Sequence, residues 1–284
     1  MQKYITSEIS ALNSSSLSKK NTGLGNTLFQ FASVYGLSKR LNMLCTFPNI
    51  YILSCKLHDF FNLNYRDTIF QSIPMDTNVT FSHRVSEQNA FNFDNTLLSK
   101  ISNINANVMI SGYLQNCLYF CEYQKEISSI ILKGLENHIK QVHYDFNNIN
   151  WEKSCFLHVR RGDYVQKKHI HFLMDSAYYQ EAIKKFPDVE NIFLFSDDVE
   201  YLKDYIFFSS DKRFHIIESE DELYTLSFMT LCKGGAICAN STFSWWGAFL
   251  GAHSTKSLVI IPDKWIDKSV GDPSGLLLEG WIKL

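Results

Sequence analysis

The sequence has no apolar run long enough to cross a bilayer as a helix, which argues against a transmembrane segment. It has no excess of positive charge: Lys and Arg number 27 against 29 Asp and Glu, a net charge of −2. The cationic surface that displaces counterions from nucleic acid is therefore missing, and a general nucleic-acid binder is excluded. Met1 to Lys20 has neither an apolar core nor a small-residue cleavage site, so it does not read as a secretory signal. The cysteines (Cys45, Cys55, Cys117, Cys121, Cys155, Cys232, Cys238) are scattered, and only Cys117 and Cys121 are close in sequence. No paired metal-ligand cluster emerges, so the expectation is reduced, buried thiols in a cytosolic protein. No strong carboxylate cluster suggests bound magnesium, although Asp197-Asp198 keeps that chemistry open. Internal repeats and heptad runs are absent as well.

What is present suits a large packed interior. The chain has 284 residues, 45% hydrophobic and 14% aromatic, enough for one large or two medium domains. A short alternating piece at Tyr4–Ile9 reads as a strand. A Ser/Asn/Lys-rich loop follows at Ser10–Thr22, then Gly23-Leu24-Gly25-Asn26. Apolar spacing predicts a helix from Thr27 to Leu41 with Asn26 as its cap. Phe47 to Ser111 has little clear period. Ile110–Phe120 reads as a strand end and a helix start, and Ile127–Ile139 as a helix.

From Trp151 onward strands and helices alternate. Strands are predicted at Cys155–Val159, Asn191–Ser196, Phe214–Ile217, Gly235–Ala239 and Leu258–Ile261. Helices are predicted at Ala177–Lys185, Glu200–Tyr205, Glu222–Lys233 and Ser244–Gly251. Such alternation implies right-handed crossovers and a parallel, doubly wound sheet, whose ligands sit beyond the carboxyl ends of the strands.

Those ends carry the chemistry. His158-Val159-Arg160-Arg161-Gly162-Asp163-Tyr164 follows one strand, Ser196-Asp197-Asp198 another, and Asn240-Ser241-Thr242-Phe243-Ser244 a third. Adjacent arginines can place forked guanidinium groups on phosphate oxygens. The Asn240–Ser244 turn opens a helix, whose free N–H groups bind anions. Asp197 or Asp198 could accept from ribose hydroxyls or base N–H groups. Together they fit a nucleotide diphosphate held without metal. Each has a plainer interpretation. Arg160-Arg161 could be a solvated pair, Asp197 or Asp198 a helix cap, and Trp245-Trp246 a buried core. Gly23-x-Gly25 lacks the third glycine of a dinucleotide fingerprint. Arg161-Gly162-Asp163 is a tripeptide that recurs by chance. Asn240-Ser241-Thr242 is formally a glycosylation sequon, and its place in the proposed site disfavours passage through a glycosylating lumen.

In combination these motifs resemble the family-11 glycosyltransferases, the α-1,2-fucosyltransferases. Thr22 to Gln30 looks like the family's opening glycine loop, and Gly112-Tyr113-Leu114-Gln115 with Tyr119-Phe120 like its middle motif. His158 to Tyr164 is similar to its most specific signature, and Asn240 to Gly247 to a second. The resemblance implies an α/β fold of GT-B type, two Rossmann-like domains with a cleft between them. We expect an acceptor-side domain over 1–150 and a donor-binding domain over 151–284, with the tail 263–284 crossing back to the first. It implies inverting transfer of L-fucose from GDP-fucose to the 2-OH of a terminal galactose. Arg160 and Arg161 would bind the donor diphosphate with His158 beside them near the nucleotide. Asp197, Asp198, Asn240, Ser241, Thr242, Phe243 and Ser244 would complete the donor side, and Gly23, Gly25 and Asn26 would face the cleft. Asp163 is the first candidate for a general base, or else an ion-pair partner of an arginine, with His169 and His171 weaker candidates. Thr22 and Thr27 depart from the family's opening loop, as does the inserted Asn13–Thr22. The middle segment Phe47–Ser111, which matches little, is expected to set acceptor choice.

The expected partners are GDP-fucose and a galactose-containing oligosaccharide, with no nucleic acid, metal or cofactor. The expected location is the cytoplasm, peripheral to the inner face of the membrane. Alternatives are a related GDP-sugar transferase with another donor or linkage, and a non-catalytic glycan-binding protein.

Overall fold

A computed structural model describes residues 2–7, 23–47, 51–52, 63–64 and 79–284. The predicted loop Ser10–Thr22, Cys55 and much of the Phe47–Ser111 segment lie outside the described residues. The chain divides into two compact units, Met1–Leu135 with Gly271–Leu276, and Glu136–Val270 with Leu277–Leu284. Each is built on a parallel sheet, so the α/β, GT-B-type class expected from the motifs is the class found.

In the first unit, strand β1 (Tyr4–Ser7) leads to helix α1 (Leu24–Arg40). Strands β2 (Leu44–Cys45), β3 (Tyr51–Ile52), β4 (Leu63–Asn64) and β5 (His83–Ser86) follow, then helix α2 (Thr96–Ser102), strand β6 (Val108–Ser111) and helix α3 (Gln124–Gly134). Four strands form a parallel sheet in the order β2-β1-β6-β5, while β3 and β4 pair with each other antiparallel. Helix α1 starts three residues before its predicted start. Its N-cap is Gly23, with no side-chain cap bond, so Asn26 is a first-turn residue rather than the cap. The added residues include Leu24, which is buried, so the earlier start brings one more apolar side chain into the core. The predicted helix Ile127–Ile139 is two helices. One ends at Gly134, a weak helix former, and the next, α4 (Glu136–Asp145), belongs to the second unit. The unit boundary thus falls well ahead of residue 150.

In the second unit the elements after α4 are β7 (Ser154–Val159), α5 (Ser176–Ile183), β8 (Asn191–Ser196), α6 (Val199–Asp204), β9 (Phe214–Ile216), α7 (Glu222–Leu231), β10 (Gly235–Ile237), α8 (Thr242–Leu250), β11 (Val259–Ile261) and β12 (Trp281–Lys283). All six strands are parallel, in the order β12-β11-β10-β7-β8-β9. Strand β7 is buried along its whole length, as a central parallel strand covered on both faces must be. One face packs Cys155, Leu157, Ile192 and Leu194 against Tyr178, Tyr179, Leu202 and Phe208 of the α5–α6 side. The other is an aromatic layer in which Phe228 of α7 lies 4.7 Å from Phe193, 5.3 Å from Phe195, 4.9 Å from Phe146 and 5.3 Å from Trp151, centroid to centroid. Trp245 and Trp246 are fully buried, as their plainer interpretation expected.

The carboxyl ends of β7, β8 and β10 lie on one rim of this sheet, because the strands are parallel and β7 pairs with both neighbours. That topology gathers three sequence motifs far apart in the chain.

Candidate functional site

On that rim the two arginines are held by carboxylates. The Arg160 guanidinium donates to Asp163 (Nη2 to Oδ1, 2.8 Å) and pairs with Asp197 (Nη1 to Oδ2, 3.0 Å). Asp197 also accepts from the backbone N–H of Arg161 at 2.8 Å. Arg161 donates through Nε to Asp198 Oδ2 at 3.0 Å and lies over the Tyr201 ring, 3.6 Å from its centroid. Asp198 is the N-cap of α6, accepting from the Tyr201 N–H at 3.2 Å. One aspartate of the pair is therefore a cap, as the plainer interpretation expected, and it holds an arginine as well. The Nη groups of Arg161 hydrogen-bond to nothing among the described residues.

Partly exposed pairs of this kind add little stability. Their effect is to hold the guanidinium groups in fixed directions, and donors fixed in this way are able to stabilise a developing negative charge. Asp163 has both oxygens engaged, Oδ1 by Arg160 and Oδ2 by Lys167 at 2.9 Å. Burial alone would raise its pKa, but Lys167 and Arg160 outweigh burial and hold the carboxyl below its usual range. A carboxylate so stabilised is a weak base, and orienting Arg160 is the role its geometry supports.

Gly162 sits against this network. A Cβ there would lie 2.1 Å from Asp197 Oδ2 and 3.0 Å from its Cγ. Asp197 is short and doubly tethered, so it would have to leave its place. Gly162→Ala is expected to lower kcat/KM about tenfold to a hundredfold through misplacement of Arg160, with little change in melting temperature. Wild-type kinetics in a folded Gly162→Ala protein would contradict this.

His158, at the end of β7, is 5% exposed. Burial first, then Arg160, pushes its pKa down to about 3, so the ring is neutral at physiological pH. Its Nδ1 and the Nε of Arg160 are buried with no hydrogen-bond partner among the described residues. The ring faces Phe243, with centroids 6.3 Å apart.

The third motif opens α8 two residues earlier than expected. Ser241 is the N-cap residue, its side chain making no cap bond, so Thr242, Phe243 and Ser244 form the first turn. The Ser244 hydroxyl donates to the carbonyls of Ala239 (3.5 Å) and Ser241 (3.2 Å). Asn240 uses its side-chain amide nitrogen on the carbonyls of Phe172 and Trp265, 3.0 Å each, and its Oδ1 is buried without a partner among the described residues.

Glu222, the first residue of α7, was not singled out from the sequence. Its Oε2 is buried and unpartnered among the described residues. Burial first, then the neighbouring Asp221, lifts its pKa to about 7, with the Arg160 charge pulling the other way. A glutamate in a first helical turn is commonplace, so no sequence signal distinguished it. Among the described residues no group of three or more His, Cys, Asp or Glu side chains is gathered as a metal site would require.

In the first unit the opening loop and the middle motif meet. The Asn26 Oδ1 accepts from Gln115 Nε2 at 2.7 Å, Gln30 donates to the Gly112 carbonyl at 2.8 Å, and Ser33 donates to the Leu114 carbonyl at 2.9 Å. Glu87, also unforeseen, accepts from the Leu114 N–H at 2.9 Å and supports this turn, in which Leu114 has a φ of +54°. Gly23 and Gly25 lie at the start of α1 beside Asn26.

A model of glycosyl transferase family 11 matches residues 5–284. The chain belongs to that family. It is a glycosyltransferase. Among curated relatives, the O-antigen biosynthesis glycosyltransferase WbnK of Escherichia coli is 26% identical over 305 residues, 92% of this chain and 98% of that protein. The alpha-1,2-colitosyltransferase of Escherichia coli is 28% identical over 284 residues, covering 92% and 96%. Among solved structures, the fucosyltransferase NodZ from Bradyrhizobium aligns with a TM-score of 0.50 at 12% identity, over 88% of this chain and 93% of that one. NodZ alpha-1,6-fucosyltransferase soaked with GDP-fucose aligns with a TM-score of 0.50 at 13% identity, over the same shares. At such identities the likeness is one of fold. No helix among the described residues of this family-11 chain is long and apolar enough to cross a membrane.

Proposed function

We propose that this glycosyltransferase moves L-fucose from GDP-fucose to a sugar hydroxyl, the 2-OH of a terminal galactose, in α-1,2 linkage with inversion. The observation that carries the proposal is the preordered arginine pair on the same rim as the first turn of α8. Arg160, Arg161 and the α8 N–H groups supply a positive field for a diphosphate without a metal. Negative charge builds on the diphosphate as the glycosidic bond breaks, so these donors stabilise the transition state more than the bound donor. The transition state is oxocarbenium-like, as in other glycosyl chemistry.

In this proposal Arg160 and Arg161 act on the leaving group, and Asp163 with Asp197 and Asp198 orients them. His158 lies near the nucleotide, where its neutral ring offers one donor and one acceptor. Glu222 adds an acceptor for base N–H groups. Asn240, Ser241, Thr242, Phe243 and Ser244 shape the phosphate side. Gly23, Gly25 and Asn26, at the start of α1, are proposed donor-binding residues of the first unit. The acceptor is a galactose-containing oligosaccharide, and the chain works in the cytoplasm, peripheral to the inner face of the membrane.

A second reading keeps the same donor site and changes the sugar. The name of the colitosyltransferase relative supports it, since that protein transfers colitose in α-1,2 linkage.

Titration of metal-free protein with GDP, UDP and ADP tests the donor site. We expect selective binding of GDP, with turnover of GDP-fucose unchanged by EDTA. No GDP binding by the folded protein would remove the basis of the proposal. Full loss of turnover in EDTA, restored by a divalent ion, would overturn its metal-free part. Turnover of other GDP-sugars in preference to GDP-fucose would favour the second reading.

A further inference from the structure

Behind Arg160 the structure closes a ring of contacts that no donor role accounts for. The Arg160 guanidinium carbon stands 5.1 Å from the centroid of the Tyr164 ring. The same ring stacks on the His171 imidazole, with centroids 4.0 Å apart and planes 8° apart. At 4.0 Å the imidazole covers its face of the ring, so the guanidinium approaches from the other. The Tyr164 hydroxyl donates to the Asn240 carbonyl at 3.0 Å, one residue before the Ser241 N-cap of α8. The Asn240 amide returns to the carbonyl of Phe172, the residue after His171, at 3.0 Å. The loop carrying His171 is pinned a second time by the Asp267 N–H on the Ile170 carbonyl, at 3.2 Å. The circuit runs from Tyr164 through Asn240 to Phe172 and His171, and back to Tyr164.

We infer that Tyr164, backed by His171, is a positioning residue that sets the Arg160 guanidinium relative to the first turn of α8, so that both address the same diphosphate. Cation–π contacts and aromatic stacking each contribute modestly when partly buried, yet they act on direction as well as energy. A guanidinium with an aromatic platform and two carboxylates has few orientations left. His171 is half-buried, and burial lowers its pKa, so at neutral pH it stacks as an uncharged ring and adds no cation beside Arg160. Burial also raises the Tyr164 hydroxyl pKa to about 12, which keeps it a hydrogen-bond donor to Asn240. The inference rests on the proposed nucleotide-diphosphate site.

The test is calorimetric titration of the whole chain with GDP, with guanosine measured by displacement of GDP. The proteins are the wild type, His171→Ala, His171→Phe and Tyr164→Phe, each checked for folding by a thermal melt. We expect His171→Ala to weaken GDP binding about fivefold, the scale of one lost cation–π or stacking contact, and to leave guanosine binding unchanged. His171→Phe retains a flat ring and restores most of the GDP affinity. Tyr164→Phe keeps the platform, loses the hydroxyl bond to Asn240, and shows a GDP-selective loss. An equal loss for GDP and guanosine would mean packing alone, and unchanged GDP affinity in folded His171→Ala would refute the positioning role. Failure of the wild type to bind GDP would instead bring down the nucleotide site itself, and this inference with it.

Discussion

Arg160→Ala is expected to lower kcat/KM for the donor by about two to three orders of magnitude, and Arg161→Ala by a similar factor, the scale seen when one preorganised donor to a developing anion is removed. The two losses should differ in kind. Arg160 is bound on two sides by Asp163 and Asp197, so its removal also leaves one oxygen of each carboxylate without its cation on the rim where the diphosphate is proposed to bind. Arg161 keeps its Nη groups clear of the carboxylates and stacks on Tyr201. Its loss removes donors with less rearrangement. The Arg160 and Arg161 side chains are 32% and 25% exposed, and partly exposed ion pairs are worth at most about 1 kcal/mol to the fold. Melting temperatures should therefore shift by no more than a few degrees. Lysine at either position keeps the charge and loses the fork, and should recover only part of the activity. Steady-state kinetics beside a melting curve decides the matter. Full activity in both folded alanine variants would show that the arginines do not serve the leaving group.

Phe228→Ala is expected to cost the second unit about 3–5 kcal/mol, the range for removing a fully buried aromatic ring from a packed core. Phe228 is 0% exposed and lies edge-on to Phe146, Trp151, Phe193 and Phe195, so neighbours on β8 and in the segment between α4 and β7 lose contact at once. Those neighbours include β8, whose end carries Asp197 and Asp198. A loss of this size lowers the melting temperature by about 6–20 °C in a unit of this size. Denaturant titration of the variant measures it, and a loss under about 1 kcal/mol would show that the layer refills the cavity. Activity of the remaining folded fraction should stay near normal, because no contact to the arginine pair is removed.

How much of this was legible before the structure differs between the units. Every strand from β7 to β11 was predicted within two residues at each end, since apolar runs bounded by Asp, Gly or Pro leave few alternatives. Strand β12 was not, because Trp281–Lys283 is three residues long, too short for alternation to show, even though Gly280 marks the turn before it. The start of α8 lies two residues before the expected one: Thr242 and Phe243 are not strong helix formers and carry no helix signal of their own. The residues of the site were legible as types at strand ends. Their pairing was not: nothing in the sequence says that Asp197 would hold Arg160 while Asp198 holds Arg161, or that Asn240 would turn its amide toward Phe172 and Trp265. Glu87 and Glu222 were invisible for a different reason. Their significance comes from burial, which tertiary packing decides and local composition does not.

The strand order of the second sheet also bears on how the chain reaches its native state. Strand β7 is central, and Cys155 pairs with Ile192 on one side but with Gly235 on the other, far later in the chain. During synthesis β7 and β8 can associate while β10 is still to be made, leaving one apolar edge of β7 without its neighbour. Closing that non-local pair carries a large entropic cost before any contact compensates for it, so this step should limit the folding rate. The Asn240 turn follows β10, so the rim that carries the proposed anion site is completed only after this slow closure. Recovery of nucleotide affinity during refolding would then report the last event of assembly rather than the first collapse.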